Sequence, residues 1–385
     1  MSGMQTVTAA TLSGALVFGM TLALFGCLKL ALARHLQLDD GQARRLLLAL
    51  NIALMPLVLL CGLLLDLCGA RPILMAGSVT LALALLSLSV RPAQPHAFAS
   101  ILLAGLGAAA LSTASTILMP RAFFASEETT ASLNLGYVFI ALGALVTPAL
   151  TDLLLGPLGL RRTLALFALL ALVPAFLAVF PDGAHWQITD HPGEMSAFFA
   201  EPSSWLAALV FFFYVPLEAS VSLWTFTLLG ERGQDERQAS GLLSGFWAAF
   251  LASRLLVALA QHVYYLSEWW DRCLVVVPPL LAAVLLGNLA GASQRGRPRA
   301  GLILLGLLLG PVLPTLLGMV FRHVAPAEQG LAYGIVFTAG SLGSLLLAPF
   351  LVPRAPQPRQ TALRLPIFLA LLLTATALVL GLMTP

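Results

Sequence analysis

The chain has 385 residues, of which 59% are hydrophobic and only 10% charged, and its mean hydropathy is +0.94. A soluble domain carries about a quarter charged residues, so this chain cannot cover itself with a water-compatible surface and is expected to be an integral membrane protein. The net charge is +3, and the basic residues, one lysine and nineteen arginines, form no run of the kind that grips nucleic acid.

A spanning helix needs about 20 mostly apolar residues. Twelve such runs follow one another, at 8–34, 46–66, 72–90, 97–119, 133–154, 163–180, 204–229, 240–262, 273–291, 301–321, 330–352 and 364–382. The first has no positive residue before Lys29 and is too long for a cleaved leader, so it is read as a spanning helix. Lys29 lies in its last third. It either snorkels to the interface on its long stem or reaches a central cavity as a cation.

Between the second and third runs stands GLLLDLCGARP, residues 62–72. Here Gly62 permits close helix contact and Gly69 a tight turn. Asp66 sits at a helix end, where it can pair with Arg71 or cap a neighbouring helix N-terminus. On the fourth run, Ser112, Ser115 and Thr116 either bond backbone carbonyls, as small hydroxyls in membrane helices often do, or line a cavity. Asn134 and Tyr137 on the fifth run and Tyr333 on the eleventh are weaker candidates. The longest loop, 181–203, follows the sixth run and divides the chain into near-equal halves, 1–180 and 204–385. Six runs, a loop and six runs is the layout of an internally repeated transporter. His185 and His191 in that loop are read as loop residues rather than metal ligands. Cys27, Cys61, Cys68 and Cys273 are read as small apolar fillers.

The seventh run contains FFFYVPLEASVSLW, residues 211–224, with a carboxylate near the middle of the segment. A charge there costs at least ~2.5 kcal/mol on insertion scales. At 100° per residue Tyr214, Glu218, Ser222 and Thr225 share one face, which in lipid must look onto protein or a water-filled cavity. On the eighth run Ser244, Trp247, Arg254 and Gln261 follow helical spacing. Arg254 lies near mid-run and needs an anion or several carbonyls, and its economical partner is Glu218. Three readings stand: a structural lock, a site where Glu218 gains and loses a proton or Arg254 grips an anionic or hydroxylated solute, or no contact. Burial and a nearby arginine act on a carboxylate in opposite directions, so the residues alone do not choose. Gly105 with Gly107, Gly306 with Gly310, and Gly340 with Gly343 are expected to let helix backbones approach closely. Pro56, Pro148, Pro216, Pro311 and Pro314 free backbone carbonyls and permit kinks.

The pattern Gly62-x-Leu64-x-Asp66-x-x-Gly69-x-Arg71 resembles the signature loop of the major facilitator superfamily. GFWAAFLASRLL (245–256), GLLLGPVLPTLL (306–317), LGALVTPAL (142–150) and the seventh-run segment resemble helices eight, ten, five and seven of its fucose-permease-like branch. Ala70 departs from the loop pattern, which usually has two basic residues after the second glycine. The fucose permease's carboxylates in helices one and four have no counterpart here. The first helix has Lys29 instead, and the fourth only Ser and Thr, so those coupling residues are not carried over.

The resemblance implies an all-α membrane fold of twelve helices in two six-helix pseudo-repeat halves. It implies secondary transport by alternating access, with Gly62, Asp66, Gly69 and Arg71 as a gating latch. The expected cargo is a small polar, sugar-like solute, moved with protons or by facilitated diffusion. Glu218 and Arg254 are the expected coupling or binding pair, with Tyr214, Ser222, Trp247 and Lys29 around them. No cofactor, metal or nucleic acid is expected. The partners are the solute, protons and membrane lipid, and the chain is expected to work as a monomer. Two alternatives remain: a membrane sensor that keeps the fold without transporting, and an exporter of amphipathic compounds. An enzyme is not expected, because no HExxH, GxSxG or cluster of acids is present and no lysine follows a GxxxxG phosphate loop.

Orientation gives conflicting signals. Fourteen of the twenty basic residues lie in loops after odd-numbered runs and four after even-numbered ones. The positive-inside rule would then put both termini outside. The resemblance puts the termini and the signature loop in the cytoplasm of a bacterial inner membrane, and the expectation follows the resemblance.

Overall fold

The computed structural model describes residues 3–37, 40–90, 94–123, 128–180, 186, 199, 201–230, 236–264, 267–291, 298–351 and 359–383. All regular structure among them is helical. In chain order α1 spans Gly3–Cys27, α2 Lys29–Leu36, α3 Asp40–Cys68, α4 Ala70–Ser89, α5 Gln94–Ala122 and α6 Thr129–Val179. Then come α7 Pro202–Gly230, α8 Glu236–Tyr264, α9 Glu268–Gly291, α10 Pro298–Leu309, α11 Val312–His323, α12 Gln329–Leu351 and α13 Arg359–Met383.

Among the described residues ten segments are long and apolar enough to cross a membrane. One of them, α6, is 51 residues long and holds two spans joined across Gly159, whose φ of 69° and ψ of 168° are open in practice only to glycine. The apolar part of α3, Ile52–Cys68, is a shorter apolar helix at the place of the second run. The described residues of the twelve expected runs are thus helical, and two of the runs break internally. The first run breaks at Leu28, so that Lys29 opens the short α2 rather than continuing α1. The tenth breaks at Gly310 and Pro311, between α10 and α11. Leu153, Phe176, Leu256 and Phe350 each leave more than half their surface open. Apolar faces of this kind suit lipid, not water.

The chain forms two compact units. The first holds Met1–Ser132, Gly136–Glu194 and Val324–Gly334; the second holds Leu133–Leu135, Met195–His323 and Ile335–Pro385. In the first unit α5 packs against α1, α3 and α4. Its sequence explains that central place. AGLGAAALSTAST is nearly all small residues, which let several helices approach at once where no hydrophobic force draws them together. At the α4–α5 crossing a Cβ on Gly107 would lie 2.6 Å from the Leu81 amide nitrogen. In the second unit α10 packs against α8 and α9, and α13 against α7 and α9. Gly306 meets the Phe246 backbone, where a Cβ would come 3.2 Å from the carbonyl carbon and from Ala249 Cβ. One turn on, Gly310 faces the Phe250 carbonyl, 2.5 Å from where its Cβ would stand, and the Ser253 hydroxyl. This Gly-x-x-x-Gly face sets α10 directly on α8.

Candidate functional site

The polar groups of the second unit converge on the α10–α11 break. Two prolines make that break chemically open. In a continuous helix the carbonyls of Leu307 and Gly310 would accept from residues 311 and 314, but both are proline and have no N–H. Leu309 ends α10 and carries one of the terminal carbonyls every helix leaves over. These groups must find donors elsewhere, since an unpaired carbonyl in an apolar interior is costly.

Two side chains supply donors to Gly310 and Leu309. Arg254, buried on α8, donates from Nε to the Gly310 carbonyl at 2.8 Å. Its guanidinium lies over the Phe250 ring, 4.3 Å from the centroid. Tyr214, buried on α7, donates its hydroxyl to the Leu309 carbonyl at 2.9 Å. Glu218 stands one turn beyond Tyr214 on the same face of α7. Its carboxylate lies within hydrogen-bonding reach of the Tyr214 hydroxyl and in the field of Arg254. Unlike its two partners, Glu218 keeps accessible surface.

The structure therefore brings together Tyr214, Glu218 and Arg254. Trp247 joins at one remove. Its ring packs edge-on against Phe246 and Phe250, both at 5.1 Å, and Phe250 carries Arg254. The side chains of Ser222 and Thr225 lie outside the described residues, as do His185 and His191. Lys29 belongs to the first unit, half-buried at the α1–α2 junction. The eighth-run stripe does not act as one surface. Ser244 is exposed, and Gln261 turns to a different partner.

That partner is Asp271, which the sequence reading passed over. Gln261 Nε2 donates to one oxygen of buried Asp271 at 2.6 Å, and Arg322 Nη2 donates to the other at 2.5 Å. Arg322 also stands 3.9 Å from Glu268, which pairs with Arg272 at the same distance one helical turn on. An acidic residue in the first turn of α9 and a basic one in the last turn of α11 each suit the local helix dipole. That charge pattern was the available signal.

The signature-loop residues lie in the first unit and are engaged separately. Asp66 accepts from the amides of Gly330 (2.9 Å) and Leu331 (2.7 Å), two first-turn donors of α12. Arg71 donates to the carbonyls of Ala178 (2.8 Å) and Val179 (3.0 Å) at the end of α6, with its guanidinium over Trp186. An anion thus meets a helix N-terminus and a cation a helix C-terminus. Gly62 lies against Gly330, whose carbonyl carbon would be 2.8 Å from an added Cβ. Gly69 takes a φ of 87° between α3 and α4. A smaller polar group in this unit joins Ser112 to the Tyr333 hydroxyl at 2.7 Å. In the second unit Asn134 donates to Thr315 at 3.2 Å.

The family profile of the Major Facilitator Superfamily matches residues 10–348. The chain belongs to that superfamily. Its members are membrane transporters and not enzymes, and the chain is accordingly an integral, multi-pass membrane protein. Solved structures with the same fold include the E. coli fucose:proton symporter, at 16% identity and TM-score 0.79, covering 96% of this chain and 97% of that one. The proton:xylose symporter is similar at 15% identity and TM-score 0.71, covering 96% and 95%. A bacterial homologue of the iron transporter ferroportin is similar at 16% and 0.77, covering 97% and 99%. No curated protein matches the sequence significantly. Within the superfamily fold, the group around Glu218 lies on the seventh, eighth and tenth spans.

Proposed function

We propose that this protein is a secondary active transporter that moves a small polar, sugar-like solute with protons, and that Glu218 is the proton-binding carboxylate. The single observation carrying this reading is the Tyr214–Glu218–Arg254 group at the broken tenth span. A buried arginine beside a carboxylate that keeps accessible surface offers both a charge for a solute to meet and a site for a proton to load. Polar and ionisable groups this deep in a membrane protein are expensive and mark solute or proton paths. The superfamily works by moving one helical unit against the other, and two of the similar structures are sugar:proton symporters. Asp66 and Arg71, each holding a helix end in the first unit, serve as the latch of one state.

The test is flux in liposomes holding the purified protein, with labelled sugars, nucleosides, amino acids and carboxylates, with and without a pH gradient. One class of solute accumulates with the gradient in the wild type. With Glu218→Gln the same solute only equilibrates, since the amide cannot carry the proton. Normal accumulation in the variant would demote Glu218 to a structural partner of Arg254. The absence of carboxylates from the first and fourth spans favours one second reading, a sensor on the same fold. A folded wild type that binds a solute from the panel without moving it would establish that reading.

A further inference from the structure

The proton site and the break in the tenth span share their hydrogen-bond donors. Tyr214 has one hydroxyl proton and two acceptors within reach, the Leu309 carbonyl and the Glu218 carboxylate. Arg254 is tied by Nε to the Gly310 carbonyl, the group that Pro314 deprives of its helical partner, while its charge acts on Glu218. Leu309 and Gly310 are consecutive, and they are the residues at which α10 ends. Thus the break supplies acceptors for the same two side chains that the carboxylate uses.

We propose that the α10–α11 break is the element that Glu218 protonation drives, with Tyr214 as the relay and Pro314 as the positioning residue that keeps the Gly310 carbonyl open for Arg254. The inference rests on Glu218 being the proton site. When Glu218 is ionised, its oxygen takes the Tyr214 proton in a hydrogen bond and Leu309 loses its donor. When a proton from water adds to a Glu218 oxygen, the new O–H donates to the Tyr214 oxygen. Tyr214 then turns its own proton to Leu309, as the structure has it. No other bond changes, and release of the proton to water on the other side reverses the step.

On α8, which packs against α7, the described basic group besides Arg254 is His262, in the last turn and two helical turns beyond Arg254. Of the elements packed on α7, the second-unit part of α12 (335–351) has no titratable residue. The charged groups of α11 are at its end, where Arg322 binds Asp271 and His323 meets the Met319 carbonyl. On α13 the described charge, Arg364, is exposed.

Coupling of this kind is reciprocal: if protonation biases the break, closing the break must shift protonation. Trp247 is the reporter, because its ring contacts Phe250, on which Arg254 lies. The measurement is tryptophan fluorescence against pH on purified protein in detergent, with Trp247→Phe subtracted and no solute present. Glu218→Gln removes the transition. Pro314→Ala restores an N–H four residues after Gly310 and frees Arg254 to serve the carboxylate. Its midpoint moves to lower pH by about one unit, the effect of an arginine brought onto a carboxylate. Tyr214→Phe takes a donor from the carboxylate and moves the midpoint the other way. In the Tyr214→Phe background the Pro314→Ala shift is smaller than in the wild type, because the two share one path.

A proline with only a structural role would change thermal stability and leave the midpoint alone. Wild-type midpoints in both Pro314→Ala and Tyr214→Phe, with Glu218→Gln flat, overturn the inference and leave the proton site standing. Should Pro314→Ala not fold, an unmoved midpoint in Tyr214→Phe overturns it alone. A transition that survives Glu218→Gln, or a wild type with none, overturns the proton site itself.

Discussion

At the residue scale, Arg254, Asp66 and Arg71 are each matched to backbone groups of opposite polarity. Arg254 takes a carbonyl that proline has set free. Asp66 takes two amides that a helix start leaves over, and Arg71 two carbonyls that a helix end leaves over. Asp271 is held instead by two side chains, Gln261 and Arg322. Removing one partner of such a pair leaves the other buried and uncompensated, and a fully buried pair broken in this way loses about 3–5 kcal/mol. Arg322 keeps some solvent contact, so Arg322→Met is expected to cost about 2 kcal/mol in a denaturant titration in detergent. The double variant Asp271→Leu with Arg322→Met recovers most of that loss, because it removes both charges. A double variant as unstable as the sum of the two single ones would show that the pair is not coupled.

The element scale is governed by small residues and breaks. Gly306 and Gly310 let α8 and α10 meet backbone to backbone, and that contact delivers Arg254 to the Gly310 carbonyl. Gly306→Ala places a methyl against the Phe246 carbonyl and is expected to destabilise by about 1–3 kcal/mol, as overpacking does. Gly287→Ala is the control. Its Cβ meets nothing within 4 Å, so the variant should be neutral or slightly stabilising through helix propensity. Equal effects of the two on the melting temperature would refute the close-packing account. The helices and their apolar faces were legible as runs of about 20 apolar residues. Their internal breaks were only partly so. Pro311 and Pro314 announced a kink in the tenth run, and the gap between the fifth and sixth runs holds Gly159, the joint between the two spans of α6, whereas nothing in the hydropathy marked Leu28 as the end of α1.

At the scale of the whole molecule, membership of the superfamily and the arginine distribution disagree about orientation. The rule counts charge in short loops. Arg71, which holds the end of α6, and Arg322, which holds Asp271, both follow even-numbered runs, so their engagement does not account for the surplus after odd-numbered ones. We expect both termini in the cytoplasm. A green fluorescent reporter fused after Pro385 should then fluoresce, while alkaline phosphatase at the same place should be inactive. The opposite pair of results would support the arginine count and place the signature loop outside.

The sequence by itself determined that this protein lives in a membrane, that it crosses twelve times, and that Glu218 and Arg254 lie well inside their spans. Hydropathy and helical spacing are local properties, and they carry that information directly. It also brought Tyr214 and Glu218 onto one face of one helix. Only the tertiary structure decided what those groups touch. Gln261 shares the eighth-run stripe with Arg254, yet it serves Asp271. Arg254 and Tyr214 lie on different helices, yet they bind consecutive carbonyls of a third. A polar group in an apolar interior must find a partner, but which one it finds depends on the helices that small residues allow to pack beside it, and that choice is made across the chain rather than along it.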